Sequence, residues 1–502
     1  MFKRTVFLAV CLTAVMALFS APAHATKARD MGLGLYENPW MIDGLQSYIY
    51  QNTAYLSKFT DQIFFVRTDQ NSGGFIYSPM AGLNLGVFSG VSLDDNVWNS
   101  DGAESFYHVG TYTLKANGYQ PVAGVNPSGA TISLIDPDGS YDSDNTYREN
   151  LSQQDVSLMG SYVWNKMSFG LGIGYGAAWS TDTFETTDPV ATDQKDKESY
   201  EFSSTQIDAI LAYIFNFNPK MDLDADIRYT QYMLGNKYDA SLPGIKTNLT
   251  YDSDGAMDIA LGAGFNWDYS PIHKLHVKAG YAMLNHSAKG TGKSSGNTDP
   301  DEDFDVAEKY DRKGSKISVG VSDEMRFSKE TTAFAGFNFA MKAFDYAYSG
   351  TDKNHATTDD EDFTGSASSM VVPLILGVET KMSENWTGRF SVSHNLWDPS
   401  KSSADHTSAV TAPATESSTS ADKDAAGDSQ LNIGLTYKLG NFRFDWLANI
   451  DIFTEGPYII SGKSTTTPGK ASTPISMAFA ATYLFGGEGN TAAGQKSILE
   501  AE

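Results

Sequence analysis

Residues 155–179 read DVSLMGSYVWNKMSFGLGIGYGAAW. In the second half, Met167, Phe169, Leu171, Ile173, Tyr175, Ala177 and Trp179 alternate with Ser168, Gly170, Gly172, Gly174, Gly176 and Ala178. One set is large and apolar, the other minute or polar. Before Asn165-Lys166, Val156, Leu158, Tyr162 and Trp164 form the apolar side of a second run. A period of two puts successive side chains on opposite faces of a β-strand, and two such runs split by two turn residues read as a hairpin. Tilted strands of about 9–11 residues cross a bilayer. These runs are that long, and the pattern recurs, so the apolar face is expected to meet lipid.

The same rhythm continues down the chain. Strands are expected near 155–164, 167–179, 205–217, 221–234, 256–268, 274–285, 315–327, 331–343, 370–381, 385–397, 429–439, 441–453 and 474–485. Tight turns join them in pairs at Asn165-Lys166, Asn218-Pro219-Lys220, Tyr269-Ser270-Pro271-Ile272, Ser328-Lys329-Glu330, Ser383-Glu384 and Gly440-Asn441. Between pairs lie long acidic Ser/Thr/Gly-rich connections near 180–202, 235–254, 287–313, 347–367, 399–427 and 454–473. Connections sorted by length at every second position are the asymmetry of an outer-membrane barrel, with short turns periplasmic and long loops outside. Further upstream, 82–91 reads as a strand and 62–67 with 73–78 as a pair. Counting the first alone gives about fourteen strands and counting all gives about sixteen. The expectation is therefore an all-β, antiparallel transmembrane β-barrel of about fourteen strands, within 12–16, occupying 61–485. The stretch 93–152 exceeds an ordinary turn and is expected to be an extracellular or in-folded loop.

The chain opens like an exported protein. Lys3 and Arg4 precede an apolar core from Val6 to Phe19, and Ala23-His24-Ala25 is a small-x-small cleavage site, so 1–25 read as a signal peptide. The single cysteine, Cys11, lies inside that core. A chain starting at Thr26 then has no thiol for disulfides, metal or nucleophilic catalysis. Mean hydropathy is that of a soluble protein, as expected when lipid-facing and lumen-facing residues alternate and cancel. A formal charge of −25 argues against nucleic acid, whose phosphates need stripes of Lys and Arg. No G-x-S-x-G or H-E-x-x-H occurs, His276, His286, His355, His394 and His406 are scattered, and neither an enzyme nor a cofactor is implied.

Strand parity sorts the two faces. Outward positions include Ile207, Leu211, Tyr213, Phe215, Leu223, Ile227, Leu261, Phe265, Ile433, Leu435, Phe444, Trp446, Ile450 and Ile452. Trp164, Phe217, Trp267, Phe327, Trp386 and Phe442 gather at the short turns as an interfacial aromatic girdle. Inward positions carry charge: Asp208, Asp222, Asp224, Asp226, Arg228, Asp258, His276, Lys278, Lys316, Glu324, Arg326, Lys342, Arg389, Lys438, Arg443, Asp445 and Asp451. Such groups pair across strands in a wet interior or tune which solutes pass. Asp222-x-Asp224-x-Asp226 is not a calcium loop, because carboxylates on one face of a strand stand roughly 7 Å apart. Asp136 to Asp144 spaces its oxygens more closely but lacks the closing glutamate of an EF-hand, so a solvated loop is expected. Residues 39–49 are expected to form a short helix beginning at Pro39. It would set Met41, Ile42, Leu45, Tyr48 and Ile49 on one face, so that 26–60 serve either as a plug in the lumen or as a periplasmic lead-in.

The last strand, Ile475 to Phe485, alternates and ends on an aromatic, and resembles the terminal signal read by the barrel-insertion machinery of Gram-negative bacteria. With the leader, the paired strands and the acidic loops, nearly the whole of 26–502 resembles a Gram-negative outer-membrane β-barrel. That resemblance implies outer-membrane lipid, lipopolysaccharide and the insertion machinery as partners, and leaves 486–502 as a disordered periplasmic tail. Two subgroups stay open. A porin-like reading implies sixteen to eighteen strands with 93–152 as constriction. Met31-Gly32-Leu33-Gly34-Leu35-Tyr36-Glu37-Asn38-Pro39 is similar to the glycine-rich start and Asn-Pro of the long-chain fatty acid transporter family, which implies fourteen strands and an N-terminal hatch. The expected function is passive passage of small solutes through a polar lumen. The alternatives are transport of hydrophobic compounds past a hatch, or a non-conducting structural or surface-interaction barrel.

Overall fold

Asn165 sits at φ 55°, one of the positive-φ positions that a two-residue hairpin demands and that Asn or Gly fills with least strain. Across it Trp164 faces Met167, Tyr162 faces Phe169 and Leu158 faces Ile173, so the two apolar runs of the opening stretch lie side by side on one face. Gly440, at φ 58°, does the same for the hairpin in which Leu439 faces Phe442.

The structure is a computed structural model. It describes residues 29–30, 33, 35, 38–43, 45–59, 61–67, 71–89, 146–187, 195–242, 245–295, 305–352, 361–396, 400–408, 414–422, 429–450 and 475–485. The signal peptide, the 136–144 loop, Asp451, Ile452 and the 486–502 tail lie outside these residues.

Twenty strand segments follow in order: β1 Gln62–Arg67, β2 Asn71–Met80, β3 Leu83–Ser89, β4 Thr146–Trp164, β5 Met167–Thr187, β6 Lys195–Asn218, β7 Met221–Leu242, β8 Ile245–Ser253, β9 Ala256–Trp267, β10 His273–Ser295, β11 Asp305–Arg326, β12 Thr331–Asp352, β13 Glu361–Val371, β14 Pro373–Lys381, β15 Trp386–Asn395, β16 Ser400–Ser408, β17 Ala414–Asp422, β18 Ser429–Leu439, β19 Phe442–Ile450 and β20 Ile475–Leu484. All pairings are antiparallel. β8 with β9, β13 with β14, β15 with β16 and β17 with β18 each share one place between the same neighbours, so the wall has sixteen strands. It closes on itself through β1 and β20, from Gln62 opposite Leu484 to Arg67 opposite Phe479. No backbone edge is left along that seam, as a wall standing in hydrocarbon requires.

Two expectations are corrected. The wall has sixteen strands rather than about fourteen, because the short β1–β2 hairpin, with Gly73 and Gly74 blurring its alternation, completes the ring. The long polar connections are also not all loop. Residues 146–152 belong to β4, and β5, β6, β7, β10, β11 and β12 run well past the apolar band. Beyond that band a hairpin ladder needs no apolar face.

The two faces sort as parity predicts. Leu158, Leu171, Ile173, Leu211, Ile227, Leu261, Phe390 and Ile433 are exposed on the outside, as is the girdle of Trp164, Phe217, Trp267, Phe327, Trp386 and Phe442. Among the described residues, inward positions such as Asp208, Asp224, Ser391 and Asp445 are buried, while Arg228, Lys316, Lys342 and Lys438 are half-buried. β1 begins and β20 ends at the short-turn rim, and the N-terminal segment lies inside that end of the cylinder.

Candidate functional site in the lumen

The segment before β1 is surrounded by wall. It consists of a 3₁₀ turn, Pro39–Met41, one helical turn, Tyr48–Gln51, and a 3₁₀ helix, Thr53–Lys58. Leu33, Leu35, Met41, Ile49, Ala54 and Leu56 have no exposed surface, and Ile42, Leu45 and Tyr48 are also buried. They form one apolar cluster with wall residues such as Phe64, Phe88, Ile210, Ile214, Phe334 and Ile375. The glycines of the opening stretch explain how the segment fits. A β-carbon on Gly170 would stand 2.2 Å from the backbone nitrogen of Ala54, and one on Gly320 would stand 2.3 Å from the Trp40 ring. The wall carries no side chain where the segment passes.

The expected helix over 39–49 is not continuous. Ile42 is extended, at φ −142° and ψ 160°. The backbone N–H of Asp43 donates to Glu324 Oε2 at 2.9 Å rather than to a carbonyl of the preceding turn. A helix exposed on one side gains from an amphipathic face, but a segment enclosed all round bonds whichever wall group is nearest.

Polar wall groups hold the segment in place. Asp224 accepts from Tyr48 OH at 2.9 Å and from Lys278 Nζ at 2.8 Å, and Asn52 Nδ2 lies 3.4 Å away. Lys278 also donates to Tyr48 OH at 2.9 Å and to Asp226 at 3.0 Å, and Arg228 lies 3.5 Å from Asp226. Burial, together with Asp224 and Asp226 beside it, drives the Tyr48 phenol well above its usual range, so it remains a donor. Asp222 accepts from Asn266 Nδ2 at 2.6 Å, and Asn266 Oδ1 meets His276 Nδ1 at 2.7 Å. Nearer the rim, Asp43 takes Lys274 Nζ at 2.6 Å and Arg326 at 3.1 Å. Arg326 also reaches Glu324 at 2.8 Å and Asp268 at 3.2 Å. Burial works to raise the Asp43 carboxyl, but Lys274 and its neighbours outweigh it and hold it below the usual carboxylate range. Further round the wall, Arg29 grips Glu379 of β14 with two bonds of 3.1 and 3.0 Å, and Glu379 also pairs with Arg389. Arg389 and Arg443 each lie 3.2 Å from Asp445. Buried charges persist only when paired in this way.

Most of the remaining inward charges stand above the segment. Asp208 accepts from Gln206 at 2.9 Å and Thr230 at 2.8 Å, while Asp258 takes His286 at 2.9 Å and Tyr232 OH at 3.2 Å. Lys316 faces Lys342 across the β11–β12 register, whereas Lys438 faces Arg443 across β18–β19 at the short-turn rim, beside Gly440-Asn441. The structure therefore brings together Asp222, Asp224, Asp226, Arg228, His276, Lys278 and Arg326 around the segment on one wall, and Arg389, Arg443 and Asp445 on another. Sequence reading omits Lys274, Asn266 and Glu379, although strand parity with His276 and Arg389 was there to find them. Arg29, Asp43, Asn52 and Tyr55 carry no periodic signal at all. The lumen is also less uniformly polar than expected, since its short-turn half is filled by the apolar cluster.

No family model matches the chain, and no curated protein does. Several solved structures are similar at low identity. The Ralstonia pickettii toluene transporter TbuX is 12% identical, with 67% of this chain and 86% of that chain covered and a TM-score of 0.32. The Pseudomonas putida toluene transporter TodX is 9% identical, with 68% and 87% covered and a TM-score of 0.31. The translocator domain of the autotransporter NalP from Neisseria meningitidis is 12% identical, with 63% and 88% covered and a TM-score of 0.24.

Proposed function

We propose that this chain is an outer-membrane transport barrel whose short-turn mouth is closed by its own N-terminal segment. The observation that carries the reading is the burial of nearly all the described residues from Asn38 to Ser57 inside the cylinder, with the N-terminal segment bonded to wall strands from β5 round to β14. The exposed apolar band and aromatic girdle support a bilayer as the barrel's surroundings. Transport then needs the segment to shift. Solute enters from the long-loop end, passes the polar wall of Asp208, Asp258, Lys316 and Lys342, and reaches the segment. The segment moves as a unit because Asp43, Tyr48 and Arg29 must leave their partners together. The apolar cluster between segment and wall supports small apolar or amphipathic compounds as the cargo. Passage of small polar solutes is the second reading, favoured by the charged upper wall.

Single-channel recording in planar bilayers tests the gate. The full chain is expected to be silent or nearly so, and deletion of 26–59 to switch on steady ohmic conductance. A deletion variant that folds yet stays silent would overturn the reading. Liposome swelling by sugars through the opened variant, set against saturable binding of an apolar fluorophore by the full chain, separates the two cargo classes.

A further inference from the structure

One donor atom each from Asp43, His276 and Glu324 lie within 4.8 Å of one another. His276 and Glu324 are buried on the wall, and Asp43 belongs to the N-terminal segment with its side chain 40% exposed. Hydrogen bonding fixes the imidazole. Asn266 Nδ2 donates to Asp222 at 2.6 Å and to Tyr55 OH at 3.2 Å, so its Oδ1 is the atom turned to His276 Nδ1 at 2.7 Å. An amide oxygen only accepts, so Nδ1 carries the hydrogen. The other ring nitrogen, Nε2, then faces Glu324 Oε2 at 3.3 Å, and that oxygen already accepts from the Asp43 N–H. Two lone pairs set against each other need a positive centre between them, either a second ring proton or a metal ion.

Three observations favour the metal ion. Ligands on a tetrahedral ion with bonds of about 2.0–2.1 Å stand roughly 3.3 Å apart, which is the separation of His276 Nε2 from Glu324 Oε2, with all three donors inside 4.8 Å. A cavity of about 20 Å³, bordered by Asp43, His276, Asn266, Trp40, Tyr55 and Lys58, adjoins two of the three donors and is the size of a single water or ion. Lys274 and Arg326 bond only Oδ2 of Asp43, and a carboxylate has a second oxygen with which to ligate.

The geometry points to a divalent transition-metal site of the zinc class, built from Asp43, His276 and Glu324 and oriented by Asn266, that clasps the N-terminal segment to the barrel wall. A ring nitrogen whose partner N–H is fixed by an outer amide is the usual arrangement of a ligating histidine. The site goes beyond the transport reading and stands whether or not any solute passes.

The test uses the full chain in detergent, stripped with chelator, with folding of each variant checked by heat-modifiable gel migration. Cobalt(II) is titrated and its visible absorption followed, and zinc(II) is titrated by calorimetry. One equivalent is expected to bind, at micromolar or lower concentration. His276→Gln and Glu324→Gln should each weaken binding at least tenfold, and Asn266→Ala by about 10–100-fold. Lys274→Met, which removes a competing cation without touching a ligand, should tighten it. Equal binding by the wild type, His276→Gln and Glu324→Gln would place the ion in the acidic loops and overturn the site. Absence of binding by both the wild type and Lys274→Met would assign the bridging charge to a proton, with the same consequence.

Discussion

Asp30 lies wholly buried against the segment it precedes. Its Oδ2 accepts from the Ser47 N–H at 2.9 Å, while no partner among the described residues reaches Oδ1. Burial pushes this carboxyl up to about 6, and the bond from Ser47 and the nearby Arg29 offset only part of that rise. The sign follows from linkage. A carboxyl whose docked value exceeds its value in a free chain favours docking fully below about 4, and that contribution is lost as pH rises through about 6. The segment is therefore expected to sit more tightly in acid than at neutrality. A spin label at Lys58→Cys, in the chain freed of 1–25 and hence of its sole cysteine, should grow more mobile from pH 5 to pH 7.5. In Asp30→Asn the change should flatten. A wild-type label indifferent to pH, or an equal slope in the variant, would refute the assignment.

At the scale of elements, β4 and β5 show what the sequence discloses. Their alternation announces the wall directly, because an exposed apolar outside and an enclosed lumen impose opposite chemistries at successive positions. The minute side of β5 reads as lumen but not as a seat. That Gly170 and Gly172 meet Thr53 and Ala54 depends on a tertiary contact between parts of the chain more than a hundred residues apart. Strand ends were hidden for a related reason, since past the apolar band the sequence no longer alternates along β5. The contacts of Asp43 with Lys274, Glu324 and Arg326 were illegible too, because they are set by how the ring closes and not by local spacing. The seat makes a sharp prediction. Even Gly170→Ala sets a β-carbon against backbone, which cannot rotate away as a side chain would. The barrel should still form, with unchanged heat-modifiable migration, while bilayer recordings gain openings that the wild type lacks. A folded Gly170→Ala barrel as quiet as the wild type would show that the segment does not rest there as described.

For the molecule as a whole, the two faces have opposite tolerances. Leu171, near the middle of the apolar run and 53% exposed, turns outward toward what surrounds the barrel. Arginine there should cost about 2–4 kcal/mol of folding stability in a bilayer if that position lies near the midplane, and less toward the rims. Reversible urea unfolding in vesicles measures this, and a negligible cost would remove lipid from the outside of the wall. The seam carries a different consequence. β1 meets β20 across six residue pairs, so the ring cannot shut until the final strand has been delivered. The stretch occupying the bore comes off the ribosome before any stave of the wall. It never has to be threaded into a finished tube, and the staves are laid around it as they are around a cooper's form, with the last one locking it in.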